Sequence, residues 1–122
     1  MNNKLLIIDD EEVLIRNYKS YFGRKGYIVF ISLTGEQGLE LLKEHDPDLM
    51  LLDLHLKDGI QGMEVLREAI AIKPNLKVAI LTGFGQDEEV RNACIVLGAK
   101  VVLKKPLALD VLKDEIEKLK TL

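Results

Sequence analysis

Two carboxylates stand directly after a short apolar run near the start of the chain. The run is Leu5–Ile8, and the carboxylates are Asp9 and Asp10. A buried strand that ends in two acids places negative charge at one edge of a sheet. Like charges held together repel each other, so such a pair usually serves a cation, most simply a metal ion. The alternative is that these acids only favour the N-terminus of the helix that follows.

Three more polar residues end apolar runs further along the chain, namely Asp53, Thr82 and Lys105. Neighbouring strands of a parallel sheet lie about 4.8 Å apart, so residues at their carboxyl ends come together. Three carboxylates, a hydroxyl and an ammonium group suit Mg²⁺, which takes carboxylate and phosphate oxygens. They also suit transfer of a phosphoryl group onto an aspartate, where positioning and neutralisation of charge do most of the catalysis.

The elements that must position these residues alternate between strand and helix. The predicted strands are Lys4–Ile8, Tyr27–Ile31, Asp48–Asp53, Val78–Thr82 and Lys100–Lys104. Between them apolar residues recur at helical spacing; Thr34 and Gln37 predict a capping box, and Gly98 predicts a helix end. Strands that are apolar on both faces need helices on both sides. The sequence therefore predicts an α/β, flavodoxin-like (βα)5 doubly wound parallel sheet with strand order 2-1-3-4-5.

Length and composition restrict the class of protein further. The 122 residues suit one domain, 1–122, and no output domain is visible. A net charge of −3 predicts no direct binding of nucleic acid. The single Cys94 favours a reducing compartment, and no apolar run is long enough to span a membrane, so we expect a cytoplasmic protein. Met1 favours a natural start, and both a stand-alone regulator and the front piece of a longer one stay open.

The motifs together resemble bacterial two-component response regulator receiver domains, over essentially the whole chain. The resemblance rests on the acidic pair after strand 1, Asp53 in Leu-Leu-Asp-Leu, Thr82-Gly83 and Lys105-Pro106. It implies that Asp53 is phosphorylated by a phosphohistidine on a sensor histidine kinase or a histidine phosphotransfer protein. Thr82 would be a switch hydroxyl that moves toward the phosphoryl group, and Lys105 its charge partner.

The same resemblance implies a Mg²⁺ site. Asp9 and Asp10 would organise the ion together with Asp53, and the backbone carbonyl of His55 would complete its shell. We expect Asp10 to be the deeper residue and the direct ligand, with Asp9 acting largely through water. The side chains of His55 and Phe84 would flank the phosphoryl group and modulate its hydrolysis, and Phe84 is expected to shield it from water.

The resemblance also implies an output. Phosphorylation would shift a two-state equilibrium and change the face formed by helix 4, strand 5 and helix 5. That face would then form a phosphorylation-dependent dimer or bind a downstream effector.

This chain departs from the usual family pattern at the switch. Val102 occupies the position that usually carries Phe or Tyr, so a rotating aromatic ring cannot report phosphorylation. Another departure is Ala108, which replaces the polar N-cap often found before the last helix.

Two other classes of protein remain as alternatives. A phosphatase with an aspartyl nucleophile would usually carry a second Asp two residues further on, where this chain has His55. A flavodoxin-like carrier of FMN would need a phosphate-binding loop after strand 1, where the acids Asp9 and Asp10 would repel phosphate. We therefore expect a signalling module whose chemistry is limited to self-catalysed phosphotransfer and autodephosphorylation, and not an enzyme.

Overall fold

The expected alternation of strands and helices is present in a computed structural model that describes residues 1–83 and 87–122. The strands are β1 (Lys4–Ile8), β2 (Ile28–Ser32), β3 (Leu49–Leu52), β4 (Lys77–Thr82) and β5 (Val101–Lys104). The helices are α1 (Glu12–Arg24), α2 (Gly35–His45), α3 (Gly62–Ile72), α4 (Glu88–Leu97) and α5 (Leu109–Leu119). Several predicted strand bounds differ by one residue. Asp53 lies just beyond β3 instead of at its end, whereas β5 ends at Lys104 as predicted, with Lys105 directly after it. Among the described residues, no helix is long and apolar enough to cross a membrane.

The five strands form one parallel sheet in the order β2-β1-β3-β4-β5, which confirms the predicted fold class. Ile8 of β1 is in register with Leu52 of β3. The backbone N–H of Asp53 donates to the carbonyl of Ile8 at 2.9 Å, so β1 and β3 end side by side. On the other flank, the N–H of Lys105 donates to the carbonyl of Thr82 at 2.9 Å. The pairing thus aligns the carboxyl ends of four strands.

Two apolar cores cover the two faces of the sheet. Leu6 and Ile8 belong to the core that contains residues of α2, α3 and α4, including the buried Cys94. Leu5 and Ile7 belong to the other core, which contains residues of α1 and α5. Alternate residues of β1 therefore enter opposite cores, as a strand with period-two side chains requires. This double burial holds the strand ends in fixed positions.

The signals at the helix ends are confirmed in part. The Thr34 side chain caps α2 by accepting from the backbone N–H of Gln37 at 3.3 Å. The second half of the predicted capping box does not form, because the N–H of Thr34 donates to the hydroxyl of Ser32 at 3.2 Å. Gly98 ends α4 with a φ of 120°, a backbone conformation that glycine adopts without strain. Ala108 precedes α5 without a side-chain cap.

An ion-pair network closes the opposite end of the sheet, before β3. The half-buried ammonium of Lys73 lies 2.7 Å from Asp48 and 2.8 Å from Asp46. Asp48 also accepts from the backbone N–H of Asn2 at 2.6 Å. The hydrogen bond with Lys73 holds the pKa of Asp48 below its usual range, against the opposing effect of burial.

Asp48→Asn should lower the free energy of unfolding at pH 7 by about 1–2 kcal/mol, because it removes charge-assisted hydrogen bonds. A depressed carboxyl pKa contributes stability that is present above the unfolded-state pKa and is lost as the pH falls through the folded-state pKa. The difference from wild type should therefore begin to shrink below about pH 4 and disappear only below the folded-state pKa of Asp48. Urea titrations at several pH values would measure it.

Asp46→Asn is the matched control for this experiment. The Asp46 side chain is 78% exposed, so its pair with Lys73 should matter less. Asn also tolerates the left-handed conformation that Asp46 adopts, at a φ of 51°. Equal effects of the two substitutions would contradict the role assigned to Asp48.

Candidate functional site

The carboxylates of Asp9, Asp10 and Asp53 converge at the carboxyl edge of the sheet. Each offers an oxygen within 4.8 Å of the others. Asp9 and Asp53 are buried, with 3% and 6% of their surface exposed, and Asp10 is half-buried. The expectation that Asp10 is the deeper residue is therefore wrong. The N–H of Asp9 still donates to Ser32 of β2 at 3.1 Å, so Asp9 continues the sheet, whereas Asp10 begins the turn into α1.

Lys105 supplies the positive charge of the site. Its ammonium lies 2.8 Å from Asp9, and 3.3 Å from both Glu11 and Asp53. The neighbouring Lys104 is exposed, so the structure brings Lys105 and not Lys104 to these acids. The first residue after β5 therefore brings the ammonium group to the acids that follow β1 and β3.

Burial and charge shift the ionisation of these groups in different directions. Burial raises the pKa of Asp9, although the hydrogen bond from Lys105 opposes it. Burial also raises the pKa of Asp53, against the hydrogen bond from the N–H of His55 and the charge of Lys105. Burial lowers the pKa of Lys105, but the hydrogen bond and charge of Asp9, with the charge of Asp53, outweigh it and leave the pKa raised. Burial thus disfavours the charged forms of Asp9 and Asp53, and the charge of Lys105 favours them.

Backbone groups orient the acids. The N–H of His55 donates to Oδ1 of Asp53 at 3.1 Å, and the N–H of Glu11 donates to Oδ1 of Asp9 at 3.0 Å. Oδ2 of Asp10 accepts from the N–H of Lys57 at 2.8 Å. The acids are therefore held by the loops that follow β1 and β3, and Asp10 joins the two loops directly.

The loop between β3 and α3 contains contacts that sequence analysis missed. The Gln61 side chain accepts from the N–H of Leu56 at 3.1 Å and donates to the Leu56 carbonyl at 2.7 Å. Glu36 of α2 accepts from the N–H of Ile60 at 3.0 Å. A Cβ at Gly62 would collide with the backbone of Leu54, so only glycine permits this close approach. Nothing in the local sequence signals which amide or carboxylate will meet these backbone groups.

The remaining predicted residues are placed as follows. Thr82 is fully buried at the carboxyl end of β4, and the exposed His55 lies beside the acidic cluster. Val102 is buried, in register with Ile80, in the core that contains α2, α3 and α4. Phe84 lies outside the described residues.

A cleft of about 350 Å³ opens beside the acidic cluster. It is lined by Asp10, Glu11, Asp53, His55, Lys57, Gly83 and Lys105.

The chemistry of this cluster fits a divalent cation. Carboxylate oxygens are the ligands that Mg²⁺ prefers, and Mg²⁺ usually keeps several waters and one or two carboxylates. The half-buried Asp10 opens onto the cleft, so an ion there would remain partly hydrated. The ammonium, the buried acids and the open cleft lie together beyond the carboxyl ends of the strands, where ligands bind in doubly wound sheets.

The chain belongs to the response regulator receiver domain family, whose family model matches residues 5–117. It is 32% identical to the sporulation initiation phosphotransferase F of Bacillus subtilis, over 97% of this chain and 94% of that protein. It is 29% identical to the chemotaxis protein CheY of the same organism, over 97% and 98% of the two chains.

Solved structures agree with this assignment. The CheY-like response regulator receiver domain protein of Methanospirillum hungatei superposes with a TM-score of 0.89 at 29% identity, covering 99% of this chain and 96% of that one. The protein is therefore a receiver domain of two-component signalling, and this membership favours a signalling module over the phosphatase and FMN-carrier alternatives.

Proposed function

We propose that this receiver domain accepts a phosphoryl group on Asp53 in a Mg²⁺-dependent reaction. The donor is a phosphohistidine on a sensor histidine kinase or a histidine phosphotransfer protein. The observation that carries the proposal is the position of Asp53, whose Oδ2 lies 3.3 Å from the Lys105 ammonium while the N–H of His55 holds its Oδ1. A carboxylate oxygen of Asp53 attacks phosphorus, the P–N bond of the donor breaks, and the imidazole leaves with its electron pair.

The other residues support this displacement. Lys105 offers its charge to the phosphoryl oxygens as they approach Asp53. The hydroxyl of Thr82 donates to the phosphoryl group once it is attached. The residues that would hold Mg²⁺ are Asp9, Asp10, Asp53 and His55 through its backbone carbonyl, and the ion would supply positive charge for the transferring group. His55 and Phe84 control the access of water and so the rate of autodephosphorylation.

The domain is a signalling module in this proposal, and not an enzyme that turns over other molecules. It works in the cytoplasm, where it meets its kinase, and does not bind nucleic acid directly. Phosphorylation switches the face of α4, β5 and α5 for a dimer partner or an effector. Val102 cannot rotate into and out of that face as an aromatic ring would, because it is packed in the core.

The test is incubation of the wild-type protein with Mg²⁺ and either acetyl phosphate or phosphoramidate, whose P–N bond resembles that of phosphohistidine. Intact mass should show one added phosphoryl group, and peptide mapping should place it on Asp53. A chelator of divalent cations should prevent the addition. Failure to gain the group from either donor, or a site other than Asp53, would overturn the proposal.

A further inference from the structure

A fourth carboxylate, that of Glu11, lies at the site without belonging to the acidic cluster. Its Oε2 is 3.3 Å from the Lys105 ammonium, which is the same distance as that from Lys105 to Asp53. Glu11 stands at the N-cap of α1, where its side chain makes no capping hydrogen bond. Its contact with Lys105 thus replaces the contact expected of a polar residue at a helix start.

Lys105 is consequently shared by Glu11, Asp9 and Asp53. The bond to Asp9 is the shortest at 2.8 Å, and both Asp9 and Asp53 are buried. Glu11 differs because its side chain is 57% exposed and lines the open cleft. It is therefore the partner of Lys105 that can be released to water at least cost, and the one that an incoming phosphodonor meets first.

A phosphoryl group on Asp53 must take over part of the charge of Lys105. The Glu11 carboxylate competes for the same ammonium, and its negative charge at the cleft also repels an anionic donor. Both effects oppose uptake of the phosphoryl group. A direct contact at 3.3 Å depends on the length of the Glu side chain more strongly than repulsion across the cleft does.

We propose that Glu11 is a positioning residue that restrains Lys105 before phosphorylation and slows phosphoryl uptake through this direct contact. The inference rests on the proposed function, because it concerns uptake on Asp53. The contact sets how readily Lys105 turns to the phosphoryl group, so Glu11 tunes the response of the domain without taking part in the displacement itself.

Rates of acetyl phosphate uptake by wild type, Glu11→Gln and Glu11→Asp would test the proposal, measured by intact mass at several donor concentrations and two salt concentrations. Glu11→Gln should react about two- to fivefold faster, the range expected for losing one partly exposed ion pair. Glu11→Asp keeps the charge but shortens the reach, so it should react faster than wild type and no faster than Glu11→Gln. The increase should appear in the rate of uptake at saturating acetyl phosphate. The circular dichroism spectra should match that of wild type, which shows that the fold is retained.

Glu12→Gln is the matched control, since it removes the same charge one residue away. Glu12 is exposed, and its carboxylate pairs with Arg16 at 3.2 Å on the outer surface of α1. The variant should behave as wild type. If Glu11→Asp behaved as wild type, long-range charge would explain the data and the contact would be refuted.

The outcomes also separate this inference from the proposed function. Equal uptake by wild type and all three variants would overturn the role of Glu11 and leave phosphorylation of Asp53 standing. No uptake by any of the proteins would overturn both.

Discussion

Asp53→Asn should gain no phosphoryl group from acetyl phosphate under conditions in which the wild-type protein gains one. An amide nitrogen or oxygen cannot replace the carboxylate as nucleophile. Asp53 is also the acid that lies between the Lys105 ammonium and the N–H of His55, at the site proposed for the phosphoryl group. Loss of uptake should therefore be complete, and intact mass would measure it.

The stability of Asp53→Asn should be equal to or higher than that of wild type. Burial holds the pKa of Asp53 above its usual value, so its ionised form is disfavoured in the folded state at neutral pH. Removing this charge also relieves repulsion from Asp9 and Asp10. A variant with an equal or higher melting temperature and no phosphoryl uptake would show that the loss of uptake is not caused by unfolding.

Asp58→Asn is the control with the same substitution on the same loop. Asp58 is exposed and lies outside the acidic cluster. It should retain uptake at the wild-type rate. A phosphoryl adduct that persists in Asp53→Asn, or equal loss in Asp58→Asn, would contradict the assignment of Asp53.

Lys105→Met should lower the free energy of unfolding and increase the stabilisation that Mg²⁺ provides. Without the ammonium, three clustered carboxylates lose their counter-charge, and breaking a buried pair typically costs about 3–5 kcal/mol. Partial exposure of the site reduces this, so we expect a loss of about 2 kcal/mol at pH 7 without divalent cations. Calorimetry with and without Mg²⁺ would measure both effects.

Mg²⁺ should stabilise Lys105→Met more than it stabilises wild type, because the ion no longer competes with the ammonium for Asp9. Protonation should also help the variant. A raised carboxyl pKa means that the charged form costs stability above the folded-state pKa, and this cost disappears as the pH falls through it. The variant should therefore recover part of its lost stability in mild acid.

Lys104→Met removes the same charge from the neighbouring, exposed residue. It should change neither the melting temperature nor the shift caused by Mg²⁺ by a comparable amount. If Lys104→Met and Lys105→Met lowered the melting temperature equally, the contacts of Lys105 with the acidic cluster would make no specific contribution to stability.

The sequence alone determined the fold class and the main members of the site. Apolar runs such as Leu5–Ile8 must be buried on both faces, and a parallel sheet between helices is the simple way to do so. Parallel pairing brings the carboxyl ends of strands to one edge. The polar residues that end these runs, Asp9, Asp53, Thr82 and Lys105, could therefore be assigned to one site from the chain's pattern.

Only the tertiary structure decided the depth and the connections of the acids. Asp9 is deeper than Asp10 because its N–H still pairs with Ser32 of β2, and the length of that pairing is not encoded in the local pattern. The contacts of Glu11 with Lys105 and of Gln61 with Leu56 join residues whose approach depends on the path of loops. Burial of apolar runs is a property of composition along the chain, whereas these contacts depend on where independent segments meet in space.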